Sequence, residues 1–489
     1  MKWFQRQLTP TIGRSRLHEF VQPALHHLTL EGDGDILPVP FEFGLMKPGS
    51  TSVLKQLATN VAEYKWTQPR SFIVVRYPLR ARRITQFTPS DSIVLEALIF
   101  ANGTRIEGAR RPLHEETVFS NRFAGESGPS LYTESLWNGF AQRGMLLASD
   151  SECALKLDIA DFYESIPHAY LRKCLIDAGV ELDHVACIMS ALAVSANGAS
   201  QGLPVGPHFS HLLAELCLSE LDNTLTKEGV AFTRFNDDIH IFAETLREID
   251  HSESIVNNHL RNALGLNLNP AKRCLTDGSD YLERVRARGG PRSAEERRLC
   301  ENDEVNYGVY HSRPSVKDLA EGRRRFKTLD AAKVIHPYLS SISSGEGLAY
   351  VLKLLRSRGV PTGIGFLVDN LEQLYPVITE ALFYMDTVAH SQTQVTKKQL
   401  RALFTLYESP VINGSTFLQV LTLRIIGRVA DLSNLNEFVE EMGYLTAAGR
   451  RELLTVAFER RTLAEWVNAQ NNSKDLTEWE QNALTRLLH

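Results

Sequence analysis

Long apolar runs, paired cysteines and an excess of positive charge are all missing from these 489 residues. No window approaches the roughly 18 apolar residues that a membrane-spanning helix needs. The first residues, Met1 to Gln7, carry no apolar signal core. Neither membrane insertion nor export is expected. The six cysteines, Cys153, Cys174, Cys187, Cys217, Cys274 and Cys300, never fall at C-x-x-C spacing, which argues against a zinc finger or a redox motif. Scattered thiols of this kind suit a reducing cytoplasm. The net charge of −5 excludes a molecule that is basic all over, so any hold on nucleic acid must come from a local patch. At 43% hydrophobic and 23% charged residues, the composition is that of a soluble globular protein long enough for two or three domains.

Against that plain background, the stretch Arg234 to Phe242 stands out. Thr233 and Phe235 precede two adjacent carboxylates, and Ile239, Ile241 and Phe242 follow them. The pattern predicts a β-hairpin with Asn236, Asp237 and Asp238 at its tip. Turns favour Asp and Asn for backbone reasons, so such a tip is by itself ordinary. Two acids that close repel unless a cation lies between them.

Three other stretches bear on the hairpin. In Ala154 to Pro167, Leu155, Leu157 and Ile159 alternate as a strand, with Asp158 at its end, and Phe162 and Tyr163 lead towards a helix. Ser200 to Pro207 is a Gly/Pro loop opening a helix from His208 to Leu221. Gly202 and Gly206 there allow close backbone approach to a ligand. His208, His211 and Glu215 share that helix, yet no zincin pattern is present, and a structural or solvated role is expected of them. A helix over 246–264 follows the hairpin, then a turn and a strand carrying Lys272.

The remaining segments are read more simply. Glu31 to Asp35 lacks calcium-loop spacing and is expected to be a solvated loop. Residues 71–85 predict two short strands, with Pro78 turning the chain and Arg80, Arg82 and Arg83 on the second, and Asp91 is expected to cap the next helix. Arginines beside an acidic centre suit a polyphosphate, and they equally guard a sheet edge. Residues 284–327 hold twelve Lys or Arg, either a solvated helix face or a surface for nucleic-acid backbone. Beyond about residue 330 amphipathic stretches recur at 345–358, 363–389, 396–408, 414–430, 434–442, 446–468 and 475–488. Paired helices in an irregular α-solenoid are the natural expectation.

A strand-end Asp158 and hairpin-tip Asp237 and Asp238 make a three-carboxylate set, to which the Ile159 carbonyl adds a fourth oxygen. Such hard ligands suit Mg2+, which completes its shell with water and substrate phosphate. Two such ions serve an in-line displacement of pyrophosphate.

In this order the segments resemble the palm and fingers of reverse transcriptases over roughly residues 70–285. Asp158-Ile-Ala-Asp-Phe-Tyr resembles the first palm motif, Gly202-Leu-Pro-Val-Gly-Pro the loop supporting the nucleotide, Phe235-Asn-Asp-Asp the Tyr-x-Asp-Asp box, and Gly265 to Lys272 the next palm motif. The resemblance implies metal binding by Asp158, Ile159, Asp237 and Asp238, with two Mg2+ or alternatively Mn2+. It implies Tyr163 as a steric gate against a 2′-hydroxyl, Arg82 on the triphosphate, Gly206 beside the nucleotide, and Lys272 near the leaving pyrophosphate or only capping charge. Two departures are informative. Val205 stands where templated members usually carry Gln, and helices replace a recognisable thumb, maturase or RNase H segment. That combination is similar to the abortive-infection, AbiK-like reverse transcriptases of bacterial antiphage defence. It implies an α+β palm and fingers with an N-terminal extension over 1–285, a basic linker over 286–329, and a helical-repeat domain over 330–489. It further implies a cytoplasmic homo-oligomer that polymerises dNTPs without a template, with single-stranded DNA attached through a tyrosine such as Tyr64, Tyr77 or Tyr132. A templated, retron-like enzyme and a catalytically retired scaffold are the alternatives. Three mutually repelling acids argue against the scaffold.

Overall fold

The structure is a computed structural model. It describes residues 16–34, 36–37, 39–40, 42–45, 61–77, 80–126, 130–133, 136–286, 293–300, 316–339, 345–389, 393, 395–442, 445–471, 476, 480–481 and 484–485. Pro78 and most of the stretch at 475–488 lie outside them.

Helix α1 (Val21–Leu30) comes first. Strands β1 (Arg70–Arg76) and β2 (Arg80–Gln86) form an antiparallel pair. Helix α2 (Pro89–Gly108) follows. Its cap is Thr88, whose hydroxyl accepts the Asp91 amide, so the expectation that Asp91 caps is corrected. Asp91 sits one turn in, and its carboxylate instead receives the Tyr64 hydroxyl and the Thr67 amide. Helix α3 (Trp137–Ser149) leads into β3 (Cys153–Asp158), then α4 (Phe162–Ser165), α5 (His168–Asp177) and α6 (Leu182–Ser195). Helix α7 (Phe209–Lys227) precedes β4 (Ala231–Phe235) and β5 (Asp238–Ala243), and α8 (Leu246–His259), β6 (Cys274–Asp277) and α9 (Gly278–Arg286) complete this part.

The second sheet runs β4-β5-β3-β6, each neighbour antiparallel. Strand periodicity assigns its faces. Leu155, Leu157, Phe232, Ile239 and Ile241 enter one large core with α2, α6, α7 and α8. The alternate residues Ala154 and Phe242 pack on Tyr281 of α9, and Phe235 on Phe140 of α3. Asp158 and Asp238 belong to that second face, at the end of the sheet where the chain turns.

Helices α10 (Ala294–Cys300), α11 (Val316–Arg325), α12 (Ala331–Leu339) and α13 (Gly345–Ser357) begin the remainder. Helices α14 (Ile364–Asp369), α15 (Ile378–Val388), α16 (Lys397–Tyr407), α17 (Thr416–Val429), α18 (Leu432–Glu441), α19 (Ala447–Arg460) and α20 (Ala464–Asn471) follow. The stretch expected as one helix over 363–389 is broken at Asn370 and again before Ile378, where Pro376 cannot supply an amide. That over 446–468 is broken where Arg461 and Leu463 take positive φ of 50° and 58°. Within this part α13 packs on α15, α15 on α17 and α17 on α19. Leu299 and Phe326, from the basic segment, are buried in the same core.

This helical core closes over the β1–β2 pair. Phe72, Val74 and Ile84 are buried in it, and the Thr379 hydroxyl donates to the Val75 carbonyl at 2.6 Å. Arg451 donates to both oxygens of the buried Glu42 carboxylate at 2.7 and 2.8 Å. Among the described residues no helix is long and apolar enough to cross a membrane.

Candidate active site

The β4–β5 connection is a two-residue hairpin in which Phe235 pairs with Asp238. Asn236 takes φ of 54°, a left-handed conformation that Asn tolerates better than most residues. The expected hairpin is therefore present, and its tip is held from below. Arg234, wholly buried, donates to Asp222 at 2.8 and 2.6 Å and to Glu215 at 3.0 Å twice. Its remaining N–H reaches the Asn236 carbonyl at 2.9 Å. The Ser120 hydroxyl accepts the Asn236 amide at 2.6 Å, and Asn121 Nδ2 donates to Asn236 Oδ1 at 2.9 Å. Arg110 adds a second cation on Glu215 at 2.8 Å. Buried charges so paired and hydrogen-bonded fix one geometry.

Asp158 stands directly opposite Asp238 across β3 and β5. Residues so paired put their Cβ atoms about 5 Å apart. Asp237 is next along the turn, and its carboxyl is pushed up to about 7 by burial first, then by the charges of Asp238 and Asp158. The structure thus brings the three acids together, and their repulsion is the mark of a cation site. Lys272 donates to Asp158 Oδ1, and Asn269 Nδ2 to Asp158 Oδ2 at 3.2 Å. Lys272 lies in a turn before β6, not on a strand as expected. The loop turns because Asn269 Oδ1 accepts the Ala271 amide at 3.2 Å.

Ile159 is oriented by its neighbours. The Asn269 amide donates to the Asp158 carbonyl at 2.8 Å, and the Ala160 amide to the Asn267 carbonyl at 2.9 Å. Alternation in an antiparallel pair then turns the Ile159 carbonyl to the other edge, where the hairpin lies. The donor set is therefore all oxygen, three carboxylates and one carbonyl, and it fits Mg2+ or Mn2+.

Tyr163 is half-buried on α4, with its hydroxyl 2.7 Å from His211 Nδ1. Its carbonyl accepts the Leu203 amide at 2.7 Å, which ties α4 to the Gly/Pro loop. Gly206 takes φ of 114°, and a Cβ there would meet Ile84 Cγ2 at 2.9 Å. The close approach is made by β2, whose Thr85 amide donates to the Val205 carbonyl at 2.9 Å. Arg82 is exposed on β2. Burial first and then Asp161 raise the Glu164 carboxyl, while Arg82 and Arg83 oppose them, so both cations act across to α4.

One expectation is corrected here. Within the segment expected as a solvated loop over Glu31–Asp35, the described residues 31–34 are not solvated as expected, and Asp35 lies outside the described residues. Asp33 is buried, accepts Gln86 Nε2 at 3.3 Å, and receives the His208 amide on its carbonyl at 3.1 Å. A Cβ on Gly34 would stand 2.3 Å from the Gly206 carbonyl oxygen, so this segment is the wall behind the loop. The helix trio separates: Glu215 pairs with two arginines, His211 with Tyr163, and His208 with His27 at 3.2 Å.

Paired strands end in a carboxylate cluster and are backed by helices. Residues 119–307 match the family described as Reverse transcriptase (RNA-dependent DNA polymerase). Residues 119–307 thus carry a segment similar to a reverse transcriptase domain. No curated protein matches the chain. Among solved structures it is similar to apo telomerase from Candida Tropicalis truncated from its C-terminal domain, at 10% identity and TM-score 0.32, over 51% of this chain and 59% of that one. It is also similar to telomerase from Candida albicans with the TWJ fragment of telomeric RNA, at 10% identity and TM-score 0.34, over 87% and 70% of the two chains. The chain thus spans under two thirds of the first of these, and likeness this distant carries no argument about activity or partners.

Proposed function

We propose that the chain polymerises dNTPs at Asp158, Asp237 and Asp238, without a template and from a primer hydroxyl of the protein itself, as an antiphage defence enzyme. The observation that carries the polymerase reading is the register pairing of Asp158 with Asp238, with Asp237 next to them in the turn. Two bound Mg2+ or Mn2+ ions would activate a 3′-hydroxyl or tyrosyl hydroxyl and stabilise the departing pyrophosphate. The Ile159 carbonyl and the three acids would hold them. Arg82 would meet the triphosphate from β2, with Gly206 giving the nucleotide its floor. The Tyr163 ring would lie under the sugar and exclude a 2′-hydroxyl, and Lys272 would move from Asp158 to the pyrophosphate. The untemplated, protein-primed part of the reading is supported by Val205 in the loop and by helices where a thumb would follow. The division at 285 and 329, a solenoid-like stack in which α13, α15, α17 and α19 follow one another, a homo-oligomer and a cytoplasmic site of action belong to the same reading.

The experiment is incubation of purified protein with each labelled dNTP and Mg2+, without primer or template, followed by a denaturing gel before and after protease. Label that travels with the protein and is freed by protease is expected. Label that appears only after an RNA template and primer are added would replace this reading with a templated enzyme.

A further inference from the structure

Behind the Gly/Pro loop lies a second group of metal-binding side chains. His27 comes from α1, Glu96 from α2, and His208 immediately precedes α7. All three are buried, and one ligand atom from each lies within 4.8 Å of the others. None belongs to the carboxylate cluster. We propose that His27, Glu96 and His208 bind a structural divalent cation of zinc type, which fixes the wall behind the nucleotide loop.

Three observations support the assignment. The first is spacing. His27 Nε2 and His208 Nδ1 are 3.2 Å apart. Two nitrogens on one tetrahedral zinc, each at about 2.0–2.1 Å, stand about 3.3 Å apart. The second is an orphan. Glu96 is 1% exposed, in a helix otherwise lined with Ile93, Val94, Leu95 and Ala97, and its Oε2 has no hydrogen-bond partner. An unpartnered carboxylate oxygen in an apolar core is costly, and a cation supplies the missing partner. The third is the surrounding shell. Glu31 Oε2 lies 3.7 Å from His27 Nδ1 on the next turn of the chain. The Tyr132 hydroxyl donates to the His208 carbonyl at 2.7 Å. Outer carboxylates commonly orient metal-bound histidine rings, and the Tyr132 bond holds the His208 backbone.

The proton inventory is consistent with loading. Without an ion, the Leu131 amide points at His27 Nδ1 from 3.2 Å, which puts the ring proton on Nε2, towards His208. A cation on Nε2 takes that proton's place. The ring proton then moves to Nδ1, where Glu31 Oε2, 3.7 Å away, must close in to accept it as the Leu131 amide turns aside. His208 uses the Nδ1 lone pair that already faces His27 and keeps its other ring proton. Two nitrogens and one carboxylate favour zinc over magnesium, which prefers all-oxygen shells, and leave one tetrahedral position for a water. The consequence for the loop is direct. The ion would lock α1 to α2 and to His208, whose amide is bonded to Asp33 in the segment that backs Gly206.

The test uses the full chain with any polyhistidine tag removed, and elemental analysis after dialysis against excess Mg2+. One equivalent of zinc is expected, retained in Asp237→Asn, and lost from Glu96→Gln and His208→Asn whose far-UV circular dichroism matches wild type. The loss of affinity should exceed the roughly 10–100-fold seen when only outer-shell partners change. Should those variants fail to fold, Co2+ added to wild-type apoprotein decides: intense visible bands of a tetrahedral site support the proposal. Wild type without zinc, zinc content unchanged in both variants, or the weak bands of an octahedral oxygen site would overturn it.

Discussion

The Lys272 ammonium donates to one oxygen of Asp158, and Asn269 Nδ2 donates to the other from 3.2 Å. A monovalent side chain thus covers the most buried of the three acids. A metal ion must displace Lys272 before Asp158 can serve as its ligand. Lys272→Met should therefore bind Mn2+ more tightly without nucleotide, by about 1 kcal/mol or somewhat more, the usual worth of a charge-assisted bond. The same variant should incorporate dNTP more slowly, because the cation released to meet pyrophosphate is gone. Calorimetric Mn2+ titration and single-turnover incorporation check the two halves. Weaker Mn2+ binding in the variant would show that Lys272 supports the site and does not compete for it.

Asp237 gives a pH signature. Its carboxyl titrates near 3.8 when unperturbed and near 7 in the fold, raised by burial and by the two neighbouring acids. Between those values the folded state keeps a proton that the unfolded chain has lost, so stability from this group falls as pH rises from about 4 to 7 and is level above. A shift of that size corresponds to roughly 2–4 kcal/mol. In chelator, Asp237→Asn should gain stability over wild type across that window, and Mg2+ should narrow the difference. Urea melts at pH 5, 6 and 7 measure it. A difference that does not change with pH would refute the assignment.

Arg234 anchors the hairpin tip through Glu215 and Asp222. Removing it strands the buried Asp222 carboxylate and leaves Glu215 with Arg110 alone, and breaking a buried pair typically costs about 3–5 kcal/mol. Arg234→Met should show that loss in urea denaturation. Replacing Arg234, Glu215 and Asp222 together by apolar residues should recover much of the stability but not the incorporation rate, because the Asn236 carbonyl loses its donor.

The Tyr163 hydroxyl is bound to His211 at 2.7 Å, which fixes the tilt of the ring proposed as the sugar gate. Tyr163→Val should lower discrimination between dNTP and NTP by roughly 10–200-fold, the range a shape change in a pocket produces. Tyr163→Phe and His211→Phe keep the ring but free it, and should fall between. Competition between labelled dATP and ATP at one enzyme concentration gives the ratio. Unchanged ratios in all three variants would remove Tyr163 from the gate.

Much of the palm was legible because its signals are local. Alternation of Leu155, Leu157 and Ile159 gave strand β3, and the Asn236–Asp238 turn between β-rich flanks gave the hairpin. The supports were not legible because they are long-range. Nothing in the local run around Arg234 announces that it is wholly buried and paired with two acids of another element. A clue was available: Glu215 and Asp222 stand two helical turns apart among the leucines of α7, which marks a buried face that needs a cation. The burial of Asp33 and the meeting of His27 with His208 join positions 175 or more residues apart, and no periodicity reports that. Lys272 reads as a strand residue after a turn, whereas the turn at Asn269 and Pro270 still includes it.

The central claim is that Asp158, Asp237 and Asp238 carry nucleotidyl transfer, and one measurement addresses it most directly. Incorporation of labelled dNTP with Mg2+ should be followed for wild type and Asp158→Asn at equal concentration, with matched circular dichroism spectra showing that both are folded. The account predicts a loss in Asp158→Asn larger than the roughly 10–100-fold that an outer-shell change costs at a metal site. Incorporation within a few-fold of wild type would contradict it.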